Sequence, residues 1–166
     1  MLQYTSVINC IFNTRNYYGN KNYVSVEVEQ QHNKNKEREV SIMKKLVTDK
    51  APAAIGPYSQ AIMVDKFLFA SGQIPINPAT GEVETEGIEA QTTQVMKNIG
   101  AVLEEAGIDY TKVVKTTCFL ADMADFAAFN AVYSKYITSA PARSCVAVKT
   151  LPKNALVEVE AVAVID

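Results

Sequence analysis

Arg143 is the side chain in this sequence best suited to hold a small ligand. It is the only arginine after Met43, where every other cationic side chain is a lysine. A guanidinium offers two parallel N–H donors to a carboxylate, which the ammonium group of lysine cannot reproduce. The alternative is a structural ion pair with Glu158 or Glu160, and the sequence leaves both interpretations open.

Glu158 lies in a predicted strand where valine and glutamate alternate, and the sequence allows three roles for it. It can be an exposed strand residue, the partner of an arginine, or a general base that orients water. Cys145 follows Arg143 by two residues and therefore shares its strand face. A buried cysteine is usually inert packing, and no histidine is at hand to activate this one.

Histidine is absent from the sequence after His32. Residues 43–166 therefore cannot build a catalytic triad that needs histidine, nor a zinc site based on histidine. The three cysteines, Cys10, Cys118 and Cys145, match neither a metal motif nor a disulfide framework. They predict free thiols in a reducing cytoplasm and no bound metal.

Two glycine-containing segments and one helical asparagine are weaker candidates. Segments 56–60 (Gly-Pro-Tyr-Ser-Gln) and 71–73 (Ser-Gly-Gln) are predicted loops where a ligand could approach the backbone. Asn130 is unusual because it falls inside a predicted helix. Each of these features alone is equally typical of a plain turn or an exposed side chain.

The composition is that of a single globular domain of modest acidity. Of the 166 residues 48% are hydrophobic and 20% are charged, and the formal net charge is -2. From Met43 onward ten lysines and one arginine stand against fourteen acids, so this part carries about -3. A nucleic-acid surface would need clustered positive charge, and a membrane span would need a longer apolar run.

A break in composition near Met43 divides the chain into an extension, residues 1–42, and a compact domain, residues 43–166. The extension is rich in Asn and Tyr, and segment 29–39 is almost wholly polar, which predicts disorder or a linker. Segment 23–28 alternates like a strand. Residues 38–40 are compatible with purine-rich codons of a ribosome-binding site, so we hypothesise that Met43 is the native start and the extension a translated leader.

The compact domain must position these side chains with strands and two helices. Strands are predicted at 44–48, 61–64, 67–70, 112–120, 143–148 and 156–165, and helices over the periodic segments that begin near Ile88 and Met123. Gly107 is predicted to follow the end of the first helix. The order β-β-β-α-β-α-β-β predicts an α+β domain with both helices on one sheet face.

The last strand has two unlike faces. Val157, Val159 and Ala161 point one way, whereas Glu158 and Glu160 alternate with further valines on the other. The second face is either solvated, as in many antiparallel sheets, or buried against another subunit.

Four segments taken together resemble the RidA/YjgF family. They are Ile55-Gly-Pro-Tyr-Ser-Gln-Ala61, Phe69-Ala-Ser-Gly-Gln-Ile-Pro75, Pro141-Ala-Arg-Ser-Cys-Val-Ala-Val148 and Leu156-Val-Glu-Val-Glu-Ala161, in this order. The resemblance covers residues 43–166, and Val159 replaces the commoner Met or Ile. It implies a chorismate-mutase-like α+β subunit with a mixed sheet, assembled as a homotrimer with sites in the clefts between subunits.

The resemblance also implies hydrolysis of the enamine and imine acids 2-aminoacrylate and 2-iminobutanoate to 2-keto acids and ammonia. Arg143 would grip the substrate carboxylate and Glu158 would orient the attacking water. Backbone groups near Gly72 and Cys145 would bind the imine nitrogen and the substrate edge, while Tyr58, Ser71 and Asn130 would line the pocket. No cofactor is implied, because a protonated imine is already electrophilic.

Two other functions are open for the same sequence. One is a regulatory trimer that binds small carboxylates through Arg143 without catalysis. The other, also associated with the family, is a ribonuclease or translation inhibitor, or a protein with chaperone-like activity. The net acidity and the missing histidines disfavour RNA cleavage.

Overall fold

A computed structural model of the chain describes residues 23–25 and 42–165. The strands are β1 (Tyr23–Ser25), β2 (Ile42–Leu46), β3 (Ala61–Val64), β4 (Phe67–Gln73), β5 (Val113–Leu120), β6 (Ala142–Ala147) and β7 (Val157–Val164), and the helices are α1 (Ile88–Glu105) and α2 (Phe126–Tyr136). The predicted α+β order of the compact domain is confirmed. The disorder or leader predicted for residues 1–42 falls mostly outside the described residues and stays a prediction.

The strands form one mixed sheet in the order β1-β2-β3-β4-β7-β5-β6. Only β5 and β6 run parallel, because α2 crosses between them, whereas the other neighbours are antiparallel. The predicted hairpin at residues 61–70 is present, with Asp65 in the turn at a φ of 49°. The strand predicted at residues 44–48 lies two residues earlier in the structure, at Ile42–Leu46.

The end of α1 and the start of α2 are each explained by a nearby residue. Gly107, at a φ of 75°, follows α1 in the left-handed conformation that glycine adopts without strain. The second helix starts later than predicted because Asp122 accepts a hydrogen bond from the backbone of Ala124 and stabilises a 3₁₀ turn at Met123–Asp125 first.

The two helices cover one side of the sheet, called here the helix face. The core on that side contains Leu68, Val95, Met96, Ile99, Val102, Leu103, Cys118, Leu120, Phe129, Val157 and Val159. The predicted alternation of β7 is confirmed, since its odd-numbered residues are buried there. Neither α1 nor α2, the two α-helices of the described residues, could span a lipid bilayer.

The opposite side, the open face, is partly apolar and uncovered in one chain. Phe67 and Phe69 are 45% and 46% exposed, and they stand opposite Val164 and Val162 in the β4–β7 register. Glu158 and Glu160 share this face. A half-apolar sheet face of this kind suits contact with another protein surface better than contact with water.

Candidate functional site

Arg143 is anchored by the helix that precedes its strand. Its Nη1 atom donates a hydrogen bond of 2.8 Å to Oδ1 of Asn130. The guanidinium carbon lies 5.0 Å from the ring centre of Tyr133 and 5.6 Å from that of Phe126. These distances are within the range of cation–π attraction. The side chain is therefore oriented although the residue is exposed.

A shallow depression of about 460 Å³ lies beside this arginine. Its lining consists of Asn130, Tyr133, Ser134, Ile137, Ala140, Pro141 and Arg143. Apolar walls around one guanidinium are typical of a site for a small organic carboxylate, because the apolar part excludes water and the cation fixes orientation.

Tyr133 joins the arginine to the sheet. Its hydroxyl lies 2.8 Å from Oγ1 of Thr116, a residue that is 1% exposed. Burial raises the pKa of the Tyr133 phenol, while the bond to Thr116 and the nearby Arg143 lower it. The phenol thus stays protonated and able to donate a hydrogen bond.

Cys145 shares the helix face with Arg143, as predicted, and stands directly opposite Cys118 in the β5–β6 register. Both are free thiols. Burial raises the pKa of Cys118 to about 12 and also raises that of Cys145, although Arg143 opposes this shift. Neither thiol is a good nucleophile at neutral pH, since the thiolate is the reactive form.

A second group of candidates lies elsewhere in the chain. The side chain of Glu158 passes over Gly72, where an added β-carbon would lie 1.9 Å from Oε1 and 2.8 Å from Cδ of the glutamate. Burial raises the pKa of Glu158, and the neighbouring charge of Glu160 raises it further. A carboxylate of raised pKa is suited to accepting a proton near neutral pH.

Ser71 connects this second group to the loop that carries Tyr58. The hydroxyl of Ser71 donates to the Ser59 carbonyl at 2.7 Å, and its backbone N–H donates to the Gln60 carbonyl at 3.0 Å. Gln60 is buried and fixes the loop through the carbonyls of residues 48, 51 and 52. Tyr58 remains 53% exposed at the surface of this loop.

The two groups do not meet within one chain. We call Asn130, Tyr133, Arg143 and Cys145 the arginine group, and Tyr58, Ser71, Gly72 and Glu158 the glutamate group. Arg143 pairs with Thr116 on the helix face, whereas Glu158 pairs with Phe119, which alternates to the open face. Their strands are separated by β5, about 10 Å across the sheet. An ion pair between Arg143 and Glu158 of the same chain is excluded.

Three residues of the arginine environment were missed by the sequence analysis: Phe126, Tyr133 and Thr116. Phe126, Asn130 and Tyr133 lie four and three positions apart, the spacing that puts side chains on one helix face. This shared helix face, on the helix that precedes the only arginine of the domain, was the signal that could have predicted the contacts of Arg143. Nothing in the sequence pointed to Thr116, because its role depends on the β5–β6 register.

Known proteins resemble this chain over most of the compact domain. A family model described as Endoribonuclease L-PSP matches residues 48–165. A Lactococcus lactis protein named as a regulator, AldR, is 56% identical over 122 residues, which are 73% of this chain and 97% of the relative. A Bos taurus 2-iminobutanoate/2-iminopropanoate deaminase is 48% identical over 126 residues, 75% of this chain and 92% of the relative.

A solved structure shows the same fold with a small molecule. The crystal structure of E. coli TdcF with bound serine is 38% identical and has a TM-score of 0.71. The match covers 74% of this chain and 99% of that chain.

Proposed function

The chain belongs to the RidA/YjgF family, and we propose that it hydrolyses 2-imino and 2-enamino acids to 2-keto acids and ammonia. The observation that carries this proposal is the fixed guanidinium of Arg143, which Asn130, Tyr133 and Phe126 orient beside a largely apolar depression. Such an arginine recognises one carboxylate on a small organic molecule.

We further propose that the working protein is a homotrimer with sites between subunits. The arginine group lies by the edge strand β6, and the glutamate group lies on the open face. A carboxylate gripped by Arg143 cannot reach Glu158 of the same chain, because the sheet separates them. A second copy that covers the open face can bring its own Arg143 to that glutamate, and a closed ring of three completes every site in the same way.

Water addition to the imine needs few protein groups. Arg143 holds the substrate carboxylate, and backbone groups near Gly72 and Cys145 bind the imine nitrogen and the substrate edge. Glu158 takes a proton from water as the oxygen attacks C2, which forms a carbinolamine. The protonated Glu158 then returns its proton to the nitrogen of the carbinolamine. The C–N bond breaks as the hydroxyl oxygen forms the keto group and its proton passes to the departing ammonia, so that the 2-keto acid and ammonium leave. No step requires a cofactor.

Three relatives support the substrate class. Deaminases of 2-iminobutanoate and 2-iminopropanoate are 48% identical to this chain. TdcF was crystallised with serine, a molecule that carries a carboxylate and a nitrogen on the adjacent carbon. The imino acids and the serine in these names have the size and charge that the Arg143 depression suits.

The test couples a pyridoxal-dependent threonine dehydratase, which releases 2-aminocrotonate and its imine, to this protein, and follows 2-oxobutanoate formation. Wild type is expected to accelerate keto-acid release, and Arg143→Ala to lose nearly all of that acceleration while remaining folded. Arg143→Lys is expected to be almost as impaired, because a point charge lacks the planar fork. Lys149→Ala, which removes an exposed lysine near the same strand, is the matched control.

Near-wild-type turnover by Arg143→Ala would disprove the carboxylate grip. An unchanged rate with wild type would disprove the enzyme assignment. The identity of 56% to a protein named as a regulator favours one second function, a trimer that binds small carboxylates without converting them. If this chain has that second function, carboxylate ligands are expected to shift its melting temperature without any ammonia release, and Arg143→Ala is expected to abolish the shift.

We also propose that residues 43–166 form the functional unit in the cytoplasm. The two described thiols are free, which suits a reducing compartment. Intact mass of the protein from its native source tests the leader hypothesis, and a product that begins at Met1 would disprove it.

A further inference from the structure

The guanidinium of Arg143 is held from a single face of α2. Phe126, Asn130 and Tyr133 lie four and three positions apart, and each contacts the arginine: two through their rings and one through a hydrogen bond of 2.8 Å. An exposed arginine otherwise samples many rotamers and loses that freedom when it binds a ligand. These contacts remove part of that freedom before binding.

Tyr133 is itself tied to the strand beside Arg143. Its hydroxyl lies 2.8 Å from Oγ1 of Thr116, and Thr116 stands directly opposite Arg143 in the parallel β5–β6 register. Three contacts therefore link these residues in a ring. The backbone of Arg143 pairs with Thr116, the side chain of Thr116 contacts the hydroxyl of Tyr133, and the ring of Tyr133 contacts the guanidinium of Arg143. A shift of the aromatic ring would have to break a buried hydrogen bond, since both hydroxyls are nearly inaccessible to water.

We propose that Tyr133 is a positioning residue for Arg143 and that the hydroxyl of Thr116 holds Tyr133 in place. This inference rests on the proposed function of Arg143 as a carboxylate anchor. The ring covers part of the guanidinium face and Asn130 engages Nη1, so the carboxylate approaches the remaining N–H donors. The effect on the reaction falls on substrate affinity, because the carboxylate is gripped equally before and during water attack.

The test uses a double-mutant cycle on the buried hydrogen bond. Tyr133→Phe keeps the ring and removes the hydroxyl, and Thr116→Val keeps the shape and removes the other partner. Each is expected to raise KM and the Kd for 2-oxobutanoate about threefold to tenfold, with kcat nearly unchanged. The double variant is expected to match either single variant, because both break the same bond.

Tyr136→Phe is the matched control. It removes a hydroxyl from the same helix, but its ring packs against Tyr110, with the ring centres 5.8 Å apart. Its KM and Kd are expected to equal those of wild type. Tyr133→Leu, which removes the ring itself, is expected to have the largest effect on Kd. Thermal unfolding of all five variants separates lost positioning from lost folding.

A ligand-free readout keeps the inference distinct from the proposed function. The Nε–H resonance of Arg143 in NMR spectra reports ring contact and exchange with water directly, and only Arg15 and Arg38 could overlap it. In Tyr133→Phe and Thr116→Val the chemical shift of this resonance is expected to change and its proton to exchange faster with water. In Tyr136→Phe both are expected to equal those of wild type. If the resonance stays unchanged in every variant, the positioning role is wrong, even for an active enzyme. If it moves while wild type shows no deaminase activity, the positioning role holds and the proposed reaction fails.

Discussion

Gly72 lies so close to Glu158 that a β-carbon at Gly72 would be 1.9 Å from Oε1 of the glutamate. The contact joins β4 to β7 at the point where their register shifts, between Ala70 and Gln73. A side chain at position 72 and the observed position of the Glu158 carboxylate are mutually exclusive. The prediction of a loop at residues 71–73 is wrong, because Gly72 lies in the irregular end of β4. This glycine, predicted to bind substrate, therefore also determines where the proposed base can lie.

Gly72→Ala is expected to reduce deaminase activity about tenfold or more without unfolding the protein. The colliding atoms belong to the flexible end of a glutamate, so the carboxylate can rotate away while the sheet stays intact. The measurements are kcat/KM in the coupled assay and the melting temperature. Full activity of a folded Gly72→Ala variant would show that the observed position of Glu158 is not required.

Arg143→Ala and Glu158→Gln subunits are expected to restore each other when mixed. Each variant alone lacks one group at every site, but a cyclic trimer assembled at random from equal amounts has about a quarter of its interfaces intact. Co-refolding the two variants and measuring ammonia release checks this expectation. Activity no higher than that of either variant alone would contradict a site shared between subunits.

The acid limb of the pH–rate profile is expected at a higher pH than an ordinary glutamate would give. Burial and the charge of Glu160 raise the pKa of Glu158, and a general base must be deprotonated, so activity falls as the pH falls through that raised value. Glu160→Gln removes the like charge and is expected to move the limb toward lower pH. If the acid limb of the kcat/KM profile is the same in Glu160→Gln as in wild type, Glu158 is not the group that accepts the proton.

Phe69→Glu is expected to break the assembly. Phe69 is 46% exposed on the open face, and a carboxylate there would be buried without a partner if another subunit covers it. Light scattering is expected to give a trimer mass for wild type and a monomer mass for the variant, with activity lost. Lys97→Glu, which changes charge on the exposed side of α1, serves as the control and should remain trimeric. A monomeric wild type would refute the trimer.

The two described thiols are expected to alkylate slowly at neutral pH and faster as the pH rises. Burial raises the pKa of both, that of Cys118 to about 12, so few thiolates exist at pH 7. In a Cys10→Ser background, Cys145 should react before the fully buried Cys118. Arg143→Ala should slow Cys145 further, because the arginine lowers its pKa. Mass spectrometry after timed iodoacetamide treatment reads out both rates.

Local patterns in the sequence were enough to predict the order of the elements and to select the candidate residues. Periodicity of 2 and of 3.6 is local, so it located β3, β4, β7 and both helices within a few residues. The single arginine of the compact domain stood out for the same reason, as residue type is visible without a fold.

Which candidates lie close together depends on how the strands pair in three dimensions. Strand order places β7 between β4 and β5, a pairing of residues far apart in sequence that no local pattern encodes. That order brings Glu158 over Gly72, and the β5–β6 register puts Thr116 opposite Arg143. Side-chain alternation then separates Arg143 from Glu158 on opposite faces, because neighbouring residues of a strand point to opposite sides of the sheet.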